Sequence, residues 1–124
     1  MKRAALLCAV VLLAPAAPGL AQCAPQLAEA EKSYRLGDFE SIPAQLEPCL
    51  PADVPRSERI RAHTILARAY IALDDLGRAR ETVEALLRLD PDFETGSPPQ
   101  LARLVAEVRR QEAAVQVASV SKTR

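Results

Sequence analysis

Apolar residues recur every three or four positions in one stretch after another of this 124-residue chain, and proline stands at most of the breaks between stretches. That pattern confines the fold to consecutive amphipathic helices joined by stiff corners. Pro25 opens a first helix with Leu27, Ala30, Tyr34 and Leu36 on its apolar side, and Leu36-Gly37-Asp38-Phe39 turns the chain into a short second one. The second helix points Ile42 and Leu46 inward, tolerates Pro43 in its first turn and stops at Pro48. Beyond Pro51 and Pro55, Ser57 is an N-cap with Glu58 in the first turn of a third helix. Its two adjoining apolar stripes, Ile60, His63, Ala67, Tyr70, Ile71 and Ala62, Leu66, Ala69, Leu73, predict a central position, packed on both sides. Asp74-Asp75-Leu76-Gly77 turns into a fourth helix carrying Ala79, Val83, Leu86 and Leu87 and ending at Asp90-Pro91. Ser97-Pro98-Pro99-Gln100 reads as a capping box for a fifth, with Leu101, Leu104, Val105 and Val108 inward. Ten prolines against four glycines, and only 3% aromatic residues within 49% hydrophobic, fit an all-α core of small aliphatic side chains.

The N-terminus is read as a processing signal. Lys2 and Arg3 precede an uninterrupted apolar run from Ala4 to Ala14, Pro15 and Pro18 break it, and Gly19-Leu20-Ala21 fits signal peptidase. Residues 1–21 are therefore expected to be cleaved, because an eleven-residue run is too short to span a bilayer. Gln22, which is not small, argues against lipidation of Cys23. The exported chain, residues 22–124, loses two of its 16 basic residues and is mildly acidic, with 14 basic against 16 acidic. Neither form is basic enough for a nucleic-acid binder, and the mature chain has no transmembrane segment.

Cleavage removes Cys8 and leaves Cys23 and Cys49 in an oxidising compartment. Cys23 lies 14 residues before Gly37 and Cys49 12 residues after it, so an antiparallel hairpin brings the two opposite each other. A disulfide is the simplest reading, stabilising the domain by roughly 3 to 4 kcal/mol through chain entropy. A metal site would need more ligands than two thiols and the single His63 supply, and a redox pair is normally closer in sequence. The helical domain is taken as residues 22–112. Residues 113–124, beginning where Val115-Gln116-Val117 alternates, are expected to be an extended or disordered tail.

Internal repetition narrows the architecture. Leu36-Gly37-Asp38-Phe39 and Leu73-Asp74-Asp75-Leu76 occupy the same turn in successive helix pairs, 37 residues apart. Residues 60–93 resemble the tetratricopeptide repeat: Leu66-Ala67, Tyr70, Ala79, Val83 and Pro91 fall at the family's Leu-Gly, Tyr, small Ala, aromatic and Pro positions. His63 stands where the family has an aromatic, and residues 23–56 match more loosely, with Val54 in place of Pro and Ile42 in place of Ala. The resemblance implies a short antiparallel helix-pair solenoid of about two and a half repeats, the fifth helix covering the last exposed face. The closing Ala118-Ser119-Val120-Ser121-Lys122-Thr123-Arg124 resembles the segment that precedes the plug in TonB-dependent outer-membrane receptors.

Catalysis has little to stand on. His63 is the only imidazole, Ser57 and Ser97 are read as caps, and the sequence has neither a glycine-rich phosphate loop nor a His-Glu metal motif. Asp74-Asp75 reads as a turn and Glu81 with Glu84 as a solvated face. No cofactor or metal is expected. What the tetratricopeptide resemblance implies instead is a concave protein-binding groove lined by the inner helix of each pair. Arg61, Thr64, Arg68 and Ile71 would line it from the second unit, with Glu31, Tyr34 and Arg35 beside them from the first. Arg61 and Arg68, two turns apart, share a face suited to a carboxylate. The expected role is an exported, periplasmic module that binds a protein or peptide. The receptor resemblance implies a second reading, the N-terminal periplasmic domain of a truncated or split TonB-dependent receptor, at the outer membrane, with the receptor or its signalling partner as the contact.

Overall fold

The computed structural model describes residues 23–122, all of them helix or connecting turn, as the all-α reading requires. The leader assigned to residues 1–21 and the last two residues lie outside the described residues. Five α-helices follow one another: α1 (Ala24–Leu36), α2 (Ile42–Leu46), α3 (Arg56–Ala72), α4 (Leu76–Leu89) and α5 (Pro99–Lys122), with single 3₁₀ turns at Phe39–Ser41 and Glu47–Cys49 flanking α2.

The 37-residue spacing recurs atom for atom in the two tight turns. Gly37 ends α1 with φ 75°, a left-handed conformation that glycine adopts without steric cost. Asp74, 37 positions on, has φ 57° in the same role. Asp38 N–H donates to the Ser33 carbonyl and Asp75 N–H to Tyr70, while Gly37 N–H donates to Tyr34 and Asp74 N–H to Ile71. Donors and acceptors alike are displaced by that one interval. Core positions follow suit, since Ala30 and Ala67, Ile42 and Ala79, Leu46 and Val83, and Cys49 and Leu86 are all fully buried. The two turns and these buried positions thus correspond at one 37-residue interval, although α2 has five residues and α4 has 14.

Packing follows from those buried stripes. α1 lies against α2 and α3, and α3 against α4 over most of its length, so α3 is the central helix. Two apolar cores meet on it. One joins Leu27 and Ala30 of α1 to Ile42 and Leu46 of α2 and to Ala62, Ile65, Leu66 and Ala69 of α3. The other joins Ala67 to Ala79, Val83 and Leu87 of α4 and to Leu101, Leu104, Val105 and Val108 of α5. The turn into α4 is held by Asp75, whose carboxylate accepts from Arg78 N–H at 3.2 Å.

Helix α5 departs from what a further antiparallel step would give. Leu76 and Gly77 line a groove with Gln100 and Arg103, Arg80 reaches Glu107 and Gln111, and Glu84 lies beside Gln111 and Glu112. Contacts thus advance in the same sense along both helices, and α5 runs in the direction of α4. The connecting residues 90–98 carry the chain back along α5, where the Arg109 guanidinium donates to the carbonyls of Pro91 (2.8 Å) and Phe93 (2.5 Å).

Three local expectations are corrected. α3 starts at Arg56, behind Pro55, without a side-chain cap, because the fixed φ of Pro55 sets the chain for helix entry one residue ahead of Ser57. Instead of a capping bond from Ser97, the Thr95 hydroxyl accepts from Ser97 N–H and donates to its carbonyl. The extended tail is overturned too, since α5 continues to Lys122. Ala113, Ala114, Gln116 and Ala118 are good helix formers, and lengthening an existing helix needs no new nucleus. Residues 111–122 are nonetheless exposed, with Val115, Val117 and Val120 each about two-thirds open to solvent. Among the described residues, no helix is long and apolar enough to cross a membrane.

Candidate functional site

Parallel placement of α1 and α3 creates one shared face. Both helices start at the same end of the molecule, where Cys23, Cys49 and Glu58 are neighbours. Glu31 and Arg61 come together as expected and form an ion pair across the two helices (2.5 Å), both partly open to solvent. Such an exposed pair contributes at most about 1 kcal/mol, so its value lies in fixing where two charges stand.

The remaining five behave differently from one another. Thr64 turns its hydroxyl back to the Ile60 carbonyl at 2.7 Å, which satisfies it within α3. Ile71 is half-buried against the second core, and Tyr34 packs on the first core with its ring edge-on to Phe39, centroids 5.3 Å apart. Arg35 is exposed in the last turn of α1, favourable to the helix dipole. Arg68 is half-buried, and its Nε is fully buried with no hydrogen-bond partner among the described residues. A guanidinium N–H left without an acceptor costs free energy.

Sequence reasoning missed Arg80, which binds Glu107 at 2.6 Å and Gln111 at 2.7 Å and ties α4 to α5. Those pairs are 27 and 31 positions apart, and no local spacing announces them. They border a groove with an apolar floor of Ile71, Leu76 and Leu104 and with Arg103 on its rim.

The predicted Cys23–Cys49 bond is not formed. Both residues carry free thiols, buried to 1% and 0% exposure. The hairpin does bring them together, as the count from Gly37 required, but each sulfur bonds to backbone instead of to the other. Cys23 Sγ donates to the Pro48 carbonyl (3.2 Å) and Cys49 Sγ to the Cys23 carbonyl (3.7 Å). Burial, the hydrogen bond with Cys23, and the nearby Cys23 and Glu58 charges push the Cys49 thiol up to about 12. His63 is half-buried, and its Nδ1–H donates to the Arg59 carbonyl at 2.8 Å, since a carbonyl can only accept. Burial holds its pKa below the ordinary value, with Arg59 and Arg88 acting the same way against the opposing hydrogen bond. Among the described residues, no three His, Cys, Asp or Glu side chains converge as metal ligands.

Compared with known families, curated proteins and solved structures, the chain matches none.

Proposed function

We propose that this chain is an exported, tetratricopeptide-like adaptor that binds a protein or peptide across the α1–α3 face in the periplasm and carries out no catalysis. The repetition of one helix pair at a 37-residue interval, down to the individual hydrogen bonds of its turn, is the observation that supports this reading. Stacked helix pairs place corresponding helices side by side, and α1 and α3 are such helices. Of the seven groove residues, Arg61, Glu31, Arg68 and Arg35 retain polar groups that a ligand can meet. Thr64, Tyr34 and Ile71 contribute shape through their own packing.

The test is a binding comparison. Periplasmic extract passed over immobilised wild-type chain and over an Arg61→Ala, Arg68→Ala double variant identifies a protein held by the former, which is then purified and titrated against both. Loss of 10-fold or more in affinity in the variant supports the face, since a guanidinium in a binding centre is worth about 2 kcal/mol or more. Equal affinity for both chains refutes it. Export is checked separately by the mass of the periplasmic form, which should begin at Gln22.

A further inference from the structure

The two thiols occupy an unusual place. Cys23 precedes the first residue of α1 and Cys49 ends the 3₁₀ turn behind α2, so together they close the open end of the first helix pair opposite the Gly37 turn. Each reaches the backbone segment of the other, Cys23 to Pro48 and Cys49 to Cys23, so the two strands of chain are already interlocked through sulfur. Among the described residues these are the only cysteines, and the Cys49 thiol, held protonated, does not initiate exchange.

We propose that Cys23 and Cys49 form a redox-closable clasp, with a reduced state in which both thiols bond to backbone carbonyls and an oxidised state in which a bond between them locks α1 to the end of α2. The oxidant is a small or protein disulfide. The Cys23 sulfur attacks one sulfur of the oxidant and releases its other half as a thiol, which carries away the Cys23 proton. The Cys49 sulfur then displaces the second half from the mixed disulfide, and that thiol leaves with the Cys49 proton. Two thiols have lost two electrons and two protons, and the oxidant has become two thiols. Because both sulfurs are buried, exchange passes through an opening of the first turn of α1, the end of the helix with no side-chain cap.

Closing the 26-position interval removes chain entropy from the unfolded state, so the bond raises the melting temperature by about 10 °C or more. The experiment uses the full chain carrying Cys8→Ser, equilibrated with oxidised glutathione or with dithiothreitol in mild urea and then returned to buffer. The expected result is an intact mass lower by two hydrogens, a Cys23–Cys49 linked peptide after digestion, and a higher melting temperature that dithiothreitol reverses. The proposal is overturned by two thiols that stay free, by glutathione adducts without the internal bond, or by a bond that leaves the melting temperature unchanged or lower. Cys23→Ser should abolish both signals. Should that variant not fold, the oxidised and reduced forms of the same chain still decide the matter.

Discussion

Asp74 holds a left-handed backbone that its counterpart Gly37 adopts freely, so Asp74→Gly should stabilise the protein by roughly 0.5–1 kcal/mol, read from the shift in a urea unfolding curve. Asp74→Val should cost more than that, because a β-branched side chain fits this region worst. Two buried titratable groups give opposite pH limits. The Cys49 thiol is raised from 9.0 to about 12, so folding favours its neutral form. The stability it contributes is complete below pH 9 and is lost as pH climbs toward 12. Thermal melts across pH 8 to 11 should show a decline that is shallower in Cys49→Ala. His63 is lowered from 6.5, so its neutral form is the favoured one, and its contribution is complete above pH 6.5 and lost as pH falls through the depressed folded value. Urea midpoints at pH 7.5 and pH 5 measure that loss against His63→Gln. Residues whose roles are set by neighbours in sequence were legible: Gly37 as a turn, Pro48 as a stop, Cys23 and Cys49 as a facing pair. The Arg109 clamp on Pro91 and Phe93 was not, because a flexible cation on an exposed helix position looks the same whether solvated or engaged.

At the scale of the element, periodicity located all five helices, and the stripe of Leu101, Leu104, Val105 and Val108 identified the buried side of α5. Leu101 is completely enclosed between α4 and α3, and Leu101→Ala should destabilise by roughly 2–5 kcal/mol in the same unfolding measurement. The distal half of α5 differs. Its valines alternate over three positions, which reads as strand, yet alternation without a partner strand has nothing to pair with, and helix continuation satisfies the backbone at once. Residues 113–122 are all exposed, whereas Leu101, Leu104, Val105 and Val108 are buried, so amides of the distal half should exchange with solvent deuterium faster than those of residues 101–108. Equal protection in the two halves would mean that the distal half is covered. Cap chemistry was the least legible feature, because proline at position 55 and the Thr95 hydroxyl compete with the serines that local rules favour.

Over the whole molecule, the 37-residue interval in the sequence reappears in two matching turns, and the order of helices around α3 followed from its two apolar stripes. The direction of α5 did not follow. It depends on how a nine-residue connection crosses the surface and on the side chains of Arg80 and Arg109, which bind groups 16 to 31 positions away. For the same reason the face shared by α1 and α3 emerged only in part: the ion pair of Glu31 and Arg61 joins the two helices, while Thr64 bonds within α3 and Ile71 packs toward α4 and α5. Disrupting that pair with Glu31→Ala should leave the melting temperature within a few degrees, as for other solvent-facing pairs. The course of α5 also governs growth. A helix laid lengthwise along α4 takes the berth that a further helix pair would need, so inserting one behind residue 89 would have to evict α5.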